Sequence, residues 1–215
     1  MENLVHRTQD LAASIGGAAL SRAVRLVAAA RPAAKPLHPQ GDLVTGRLRR
    51  SGGDSGVSWL DERGSDQVVV RLSRAIGLPK GLPDIYGLAV RVPVAGGGHG
   101  DLLFATTGRG RLTRFLLTPG RTPYSRPLTT LLPYRTTAGP KVLAAVARDE
   151  HHYDLAHASP GGSWHHFAEL VLSTTAGPDP LVSFDPVLNT LPGLENYEWV
   201  RRLREPGYGT ARHSR

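Results

Sequence analysis

Between residues 43 and 173 the chain is a succession of short apolar runs punctuated by Gly, Pro and Asp, and this spacing constrains the fold more than any other feature. Leu43–Leu48, Gln67–Leu72, Leu88–Val94, Asp101–Thr107, Val142–Ala147 and Phe167–Ser173 each have the length of a strand. In Leu88-Ala89-Val90-Arg91-Val92 the larger apolar residues alternate, as a strand with one buried face requires. Several such runs with turn residues between them predict an antiparallel sandwich or barrel. Gly96-Gly97-Gly98 lies between two runs and opens no helix, so it reads as a hairpin turn and not as a phosphate loop. Gly120–Pro140 contains four prolines and reads as loop.

The two ends have a different pattern. Leu4, Leu11, Ile15, Ala18, Ala19, Arg22 and Leu26 fall along one stripe of a helix, which Arg31-Pro32-Ala33-Ala34-Lys35-Pro36 breaks. Residues 1–34 are therefore expected to form a helical arm and linker, and residues 35–215 the main domain. Around Leu194–Arg204 the pattern turns helical again. The expected fold class is α+β, an antiparallel β-barrel with flanking N-terminal and C-terminal helices. Arg22 and Arg25 interrupt the apolar stretch Leu11–Ala30, so no membrane span is expected. Met1-Glu2 followed by Asp10 is a poor secretion signal, and a cytoplasmic location is expected. The arm is suited to docking on its own domain or on a second copy, a homo-oligomer.

The chain has no cysteine, which excludes disulfides, thiolate nucleophiles and cysteine-held metals. Lys+Arg is 26 against 18 Asp+Glu, a net charge of +8 that favours anionic ligands. Lys35, Lys80 and Lys141 are the only lysines; with so much Ala, Gly and Pro, the arginine excess also matches GC-rich coding. The basic residues are not interleaved with aromatics, so no specific nucleic-acid partner is expected. His151, His152, Asp154 and His157 have metal-ligand chemistry, and on a strand His152 and Asp154 would share a face. No histidine pair has the His-Glu-x-x-His context of a helical zinc site, and His165-His166 is a weaker candidate still.

Three segments stand in a distinctive order. The first is Lys35-Pro36-Leu37-His38-Pro39-Gln40-Gly41-Asp42-Leu43. The second is Val70-Arg71-Leu72-Ser73, then Asp84-Ile85-Tyr86-Gly87-Leu88-Ala89-Val90-Arg91 and Asp101-Leu102-Leu103. The third is Phe184-Asp185-Pro186, Asn189 and Pro192-Gly193-Leu194-Glu195, leading to Arg204-Glu205-Pro206-Gly207-Tyr208 and Arg215. In this order they resemble the core of the haem catalases, over about a third of the chain. The resemblance implies a catalase-type barrel that binds haem b and acts on or senses peroxides or organic hydroperoxides.

Residue by residue, the resemblance implies His38 as the distal base, supported by Ser73, and Tyr208 as the iron ligand with Arg204 beside it. Arg71 and Arg215 would meet the haem propionates, with Lys35 in place of a further arginine. The chemistry is consistent with these roles. Ferric iron prefers an anionic oxygen, and an arginine four residues before a tyrosine lies one helical turn away, where it favours the phenolate. Bidentate arginines suit carboxylates. A distal histidine can take a proton from a bound peroxide and return it to the departing oxygen. The sequence departs from the family at Ala105, where catalases carry a distal asparagine, and the span from His38 to Tyr208 is shorter. The missing amide implies weak catalase turnover or none. Two other readings use the same basic cavity: a phosphodiesterase-like hydrolase, for which the sequence offers no paired-metal set or nucleophile, and a non-catalytic barrel that binds a small ligand.

Overall fold

The structure is a computed structural model, and it describes residues 41–77, 81–177 and 182–203. The expected N-terminal arm, its linker and the 34/35 domain boundary lie outside these residues.

The apolar runs form one closed antiparallel barrel. Its eight strands are β1 (Gly41–Arg50), β2 (Gly64–Arg74), β3 (Tyr86–Val94), β4 (Gly98–Thr106), β5 (Leu128–Thr129), β7 (Val142–Ala147), β8 (His152–Ala158) and β9 (His165–Gly177). A small ladder of β6 (Tyr134–Arg135) and β10 (Glu195–Asn196) stands apart from it. Five of the six predicted runs fall within these strands, and Asp101–Thr107 overruns β4 by one residue. The glycine hairpin is also present: Gly96 and Gly97 both have φ of +91°, a conformation that favours glycine and matches the twist of the flanking strands.

Alternation fills the barrel. Val44 and Leu48, Val68 and Val70, Leu88, Val90 and Val92, Leu102 and Phe104, Tyr153 and Leu155, and Leu170 all point inward. Side chains occupy the interior, as is usual for eight strands. The β1–β2 connection adds Val57, Trp59 and Leu60 to this core through the short helix α1 (Ser58–Asp61). Trp59 meets Phe167 edge-on at 6.1 Å, and the Arg50 guanidinium lies over its ring, 4.9 Å from the centre.

The described part of the chain is mostly β, with little of the helix expected. Gly120–Pro140 is largely loop, but Leu128 and Thr129 within it pair with β4 on one side and β7 on the other, and so close the barrel. At the C-terminal end helix begins only at residue 198, and residues 198–203 are helical. Glu195 and Asn196 pair instead with Arg135 and Tyr134, and Glu195 forms an ion pair with Arg135. No described helix is long and apolar enough to cross a membrane.

The segment after β9 is attached to the barrel wall through one buried carboxylate. Asp101 on β4 receives both arms of Arg91 on β3, at 2.8 and 2.9 Å. The same Asp101 accepts the Asp185 N–H at 2.8 Å and the Asn189 amide at 2.9 Å, and its own N–H donates to the Asn189 carbonyl. Arg91 also donates to the Ser183 carbonyl at 2.5 Å and lies 4.9 Å from the centre of the Phe184 ring. Asp185 caps its own turn by accepting from the N–H groups of Val187 and Leu188. Leu191 and Leu194 then enter the core.

Asp101→Ala removes the acceptor on which these groups converge and leaves Arg91 without its carboxylate. A loss of about 3 kcal/mol is expected from breaking such a buried pair. Urea unfolding measures it, and limited proteolysis should cut first within residues 182–197.

Candidate functional site

Two places on the barrel carry chemistry, one on its outer wall and one at an end. The wall follows from strand alternation. Because Val68, Val70 and Leu72 face the core, Arg71 and Ser73 face outward. Arg71 stands opposite Leu43 on β1 and Ala89 on β3, and Ala89 stands opposite Leu103 on β4. Ser73 stands opposite Gly41 and Gly87, and Gly87 opposite Ala105. The wall around the pair is therefore built largely of glycine and alanine. A Cβ at Gly41 would come within 2.8 Å of the Leu72 carbonyl and 3.0 Å of Arg71 Nε, so this glycine allows the Arg71 guanidinium to approach β1. Arg71 is half-buried and Ser73 buried.

One rung along the same face lies the Arg91–Asp101 pair, since Val69 stands opposite Arg91 and Arg91 opposite Asp101. Val70–Ser73, Gly87–Arg91, Asp101–Leu103 and Phe184–Asn189, distant in sequence, are thus all parts of one wall or docked on it. Of the residues expected to form the site, Arg71 and Ser73 are brought to adjacent rungs. Lys35, His38, Arg204, Tyr208 and Arg215 lie outside the described residues. Ala105 occupies the same row as Ser73 on this wall.

The histidines noted for their metal-ligand chemistry are not gathered into one site among the described residues. His152 bonds to Asp149 at 2.8 Å, whereas His157 faces the barrel interior. Asp154 meets His166 and Glu169 instead, with ligand-type atoms within 4.8 Å of one another. Arg148 already bonds both carboxylates, Asp154 closely and Glu169 at 2.8 Å. The Arg148 hydrogen bonds hold the Asp154 carboxyl below its ordinary range against the opposing effect of burial. This group is a largely exposed ion-pair network in which one arginine bridges two carboxylates.

The second place is a polar cavity of about 190 Å³ at the barrel end that carries the β1–β2 and β8–β9 connections. Asp54 and Ser55 line it from the first connection, Lys141 from the residue before β7, and His157 and His165 from β8 and β9. The β8–β9 turn completes it with Ser159, Gly162 and Ser163. Buried Arg114 fixes that turn: it donates to the Ser159 carbonyl at 3.3 Å and the Gly162 carbonyl at 3.0 Å, and lies 4.3 Å from the Trp164 ring centre. On the other side, Asp61 accepts the N–H groups of Ser55, Gly56 and Val57. Burial alone would raise the Asp61 carboxyl, but these bonds together with Ser55 outweigh it and hold it below its usual value.

His157 is 5% exposed, stacks on His165 at 5.5 Å, and has no hydrogen-bond partner at Nδ1. Burial pushes its imidazole down to about 4, with Lys141 and His165 adding repulsion. Neither this cavity nor the Arg114 clamp was apparent from the sequence. The available signal was the inward alternation Tyr153, Leu155, His157, which puts a histidine on a core face.

No protein-family model matches the chain, and no curated protein matches it. Among solved structures, a fungal catalase crystal structure has a similar fold, with a TM-score of 0.59 at 10% identity over 88% of this chain. The match spans 60% of that catalase chain. At this identity the likeness is one of fold.

His157 makes stability depend on pH. Its imidazole titrates near 6.5 when unfolded but only near 4 when folded. Between these values the unfolded chain binds the extra proton, so stability is complete above about pH 6.5 and declines as pH falls towards about 4. Urea midpoints across this window should drop for the unaltered chain and stay flatter for His157→Leu.

Proposed function

We propose that the chain is a haem-binding protein of catalase-like architecture that acts on or senses peroxides, organic hydroperoxides included, with weak or no catalase turnover. The observation that supports this best is the convergence of separate sequence segments on one outer wall. Val70–Ser73, Gly87–Ala89 and Asp101–Leu103 are its adjacent strands, and Phe184–Asn189 is docked on it. These are the segments that resemble the catalase core, and the fold is similar to that of a fungal catalase.

The wall suits a flat macrocycle. Gly41, Gly87, Ala89 and Ala105 leave it low, and Arg71 offers a guanidinium at its margin for a propionate. In the proposal Arg215 and Lys35 are further counter-charges, Tyr208 is the iron ligand, and Arg204 favours the ionised phenol. When bound, haem supplies redox chemistry that no side chain of the protein can provide. His38 takes the proton of a bound peroxide and delivers it to the departing oxygen, with Ser73 orienting the imidazole. Ala105 provides no amide donor on that face. The hydrolase alternative gains no support, because the carboxylates of Asp154 and Glu169 are both engaged by Arg148.

Protein purified after growth with a haem precursor should show a Soret band and bind haem one to one. A colourless chain that also fails to take up haemin would overturn the proposal. Tyr208→Phe should lose haem or change its ligand class. Arg204→Ala should be milder, and Arg71→Ala should weaken retention without changing ligand class. His38→Ala should keep haem and abolish peroxide chemistry. Oxygen evolution from hydrogen peroxide should be at least about a hundredfold below a true catalase, the effect of one missing transition-state donor.

A further inference from the structure

The cavity at the barrel end is separate from the outer wall and plays no part in the proposed haem chemistry. It carries one ammonium group, Lys141, together with two stacked imidazoles, His157 and His165, and the serines Ser55 and Ser163. An apolar ligand would leave these groups without partners. Buried polar atoms are ordinarily hydrogen-bonded, yet His157 Nδ1 is not. The cavity walls are also built rather than accidental, since Arg114 holds one side and Asp61 the other by hydrogen bonds to the backbone.

We propose that this cavity is a binding site for the oxyanion group of a small polar molecule, a phosphate or a carboxylate, and that His157 takes up a proton from solvent when the anion binds. Lys141 supplies the fixed charge, and the serine hydroxyls and His165 can donate hydrogen bonds. The empty site keeps His157 neutral at physiological pH because it is buried beside Lys141 and His165; Asp54 and Asp61 oppose them only partly. An anion brought alongside reverses that balance and favours the imidazolium. Binding and protonation are then linked, so affinity rises as pH falls, by up to about tenfold per pH unit between the empty and the occupied pKa values. Asp54 is the one carboxylate on the lining and works against an anion.

The test is calorimetric titration of the full chain with inorganic phosphate and, separately, with acetate, across mildly acidic to neutral pH. Saturable one-to-one binding of at least one probe in the millimolar range or tighter is expected, strengthening at lower pH. Which probe binds decides between a tetrahedral and a planar oxyanion. Lys141→Met should weaken binding about tenfold or more, and His157→Gln should flatten the pH dependence. Asp54→Asn, at an exposed position, should bind no more weakly than the unaltered chain. Arg71→Ala should leave this binding unchanged, which separates the site from the outer wall. In the unaltered chain the His157 ring resonances should move on titration, a reading that needs no variant. Absence of saturable binding by either probe would overturn the proposal. So would binding that persists unaltered in Lys141→Met, or that leaves the His157 resonances in place.

Discussion

The Arg91–Asp101 pair is the interaction on which the rest of the architecture depends. A carboxylate this deep in the wall is costly to desolvate, and the cost is offset only because its oxygens are fully used. One meets Arg91 Nε; the other accepts from Arg91, the Asp185 N–H and the Asn189 amide. The donors come from two adjacent strands and from a segment more than eighty residues away in sequence. The pair therefore does more than pin β3 to β4. It also fixes where the segment Phe184–Asn189 docks on the barrel. An apolar pair at these two positions could hold the strands together, but it would not select Phe184–Asn189 as the docking segment.

Closure of the barrel decides where a ligand can bind. Eight strands leave an interior that Val, Leu, Phe and Tyr side chains fill, so no ligand is expected inside. What remains is the outer wall and the ends. The wall of β1–β4 has small residues where strands must lie flat, and half-buried Arg71 among them. The end near β8 and β9 instead has polar residues on positions that alternation turns inward. These demands differ physically: a flat wall needs side chains to be absent, whereas a polar mouth needs them to be present and held. The same strand period meets both because its two faces are independent.

Much of this was legible in the sequence where one face of a strand is buried and the other is not. Leu88, Val90 and Val92 announce β3, and Gly96-Gly97 its turn. The reading weakened where that contrast fades. β5 consists of Leu128 and Thr129 and is too short to show a period, so a proline-rich loop hid the strand that closes the barrel. On β8 the inward position His157 is polar, and it reads as a potential metal ligand until Tyr153 and Leu155 show that it shares their face. Helix was expected from Leu194, but Glu195 and Asn196 find backbone partners on Arg135 and Tyr134, and tertiary pairing outweighed local pattern. Of the residues that the catalase resemblance singles out for a site, Arg71 and Ser73 are neighbours on the described wall. The proposed iron-side residues carry no strand period that could have located them from pattern alone.

The positive charge of the chain acquires meaning only after pairing is taken into account. Arg50 faces Asp66, Arg91 faces Asp101, Arg135 faces Glu195, and Arg148 faces Asp154 and Glu169. Arg114 is turned inward to carbonyl oxygens and Trp164. These arginines shape the fold by joining strands and turns, and their formal charge is largely satisfied within the chain. The net charge of +8 already counts these carboxylates, so its excess resides on other cations. A cation directs a ligand most strongly where water is partly excluded and the surrounding surface is uncharged, because screening is then weakest. Half-buried Arg71 lies beside glycine and alanine rungs on the wall. At the barrel end Lys141 stands beside the buried His157 with Asp54 opposing it on the lining, and there the local environment, rather than the total charge, governs the proposed anion site.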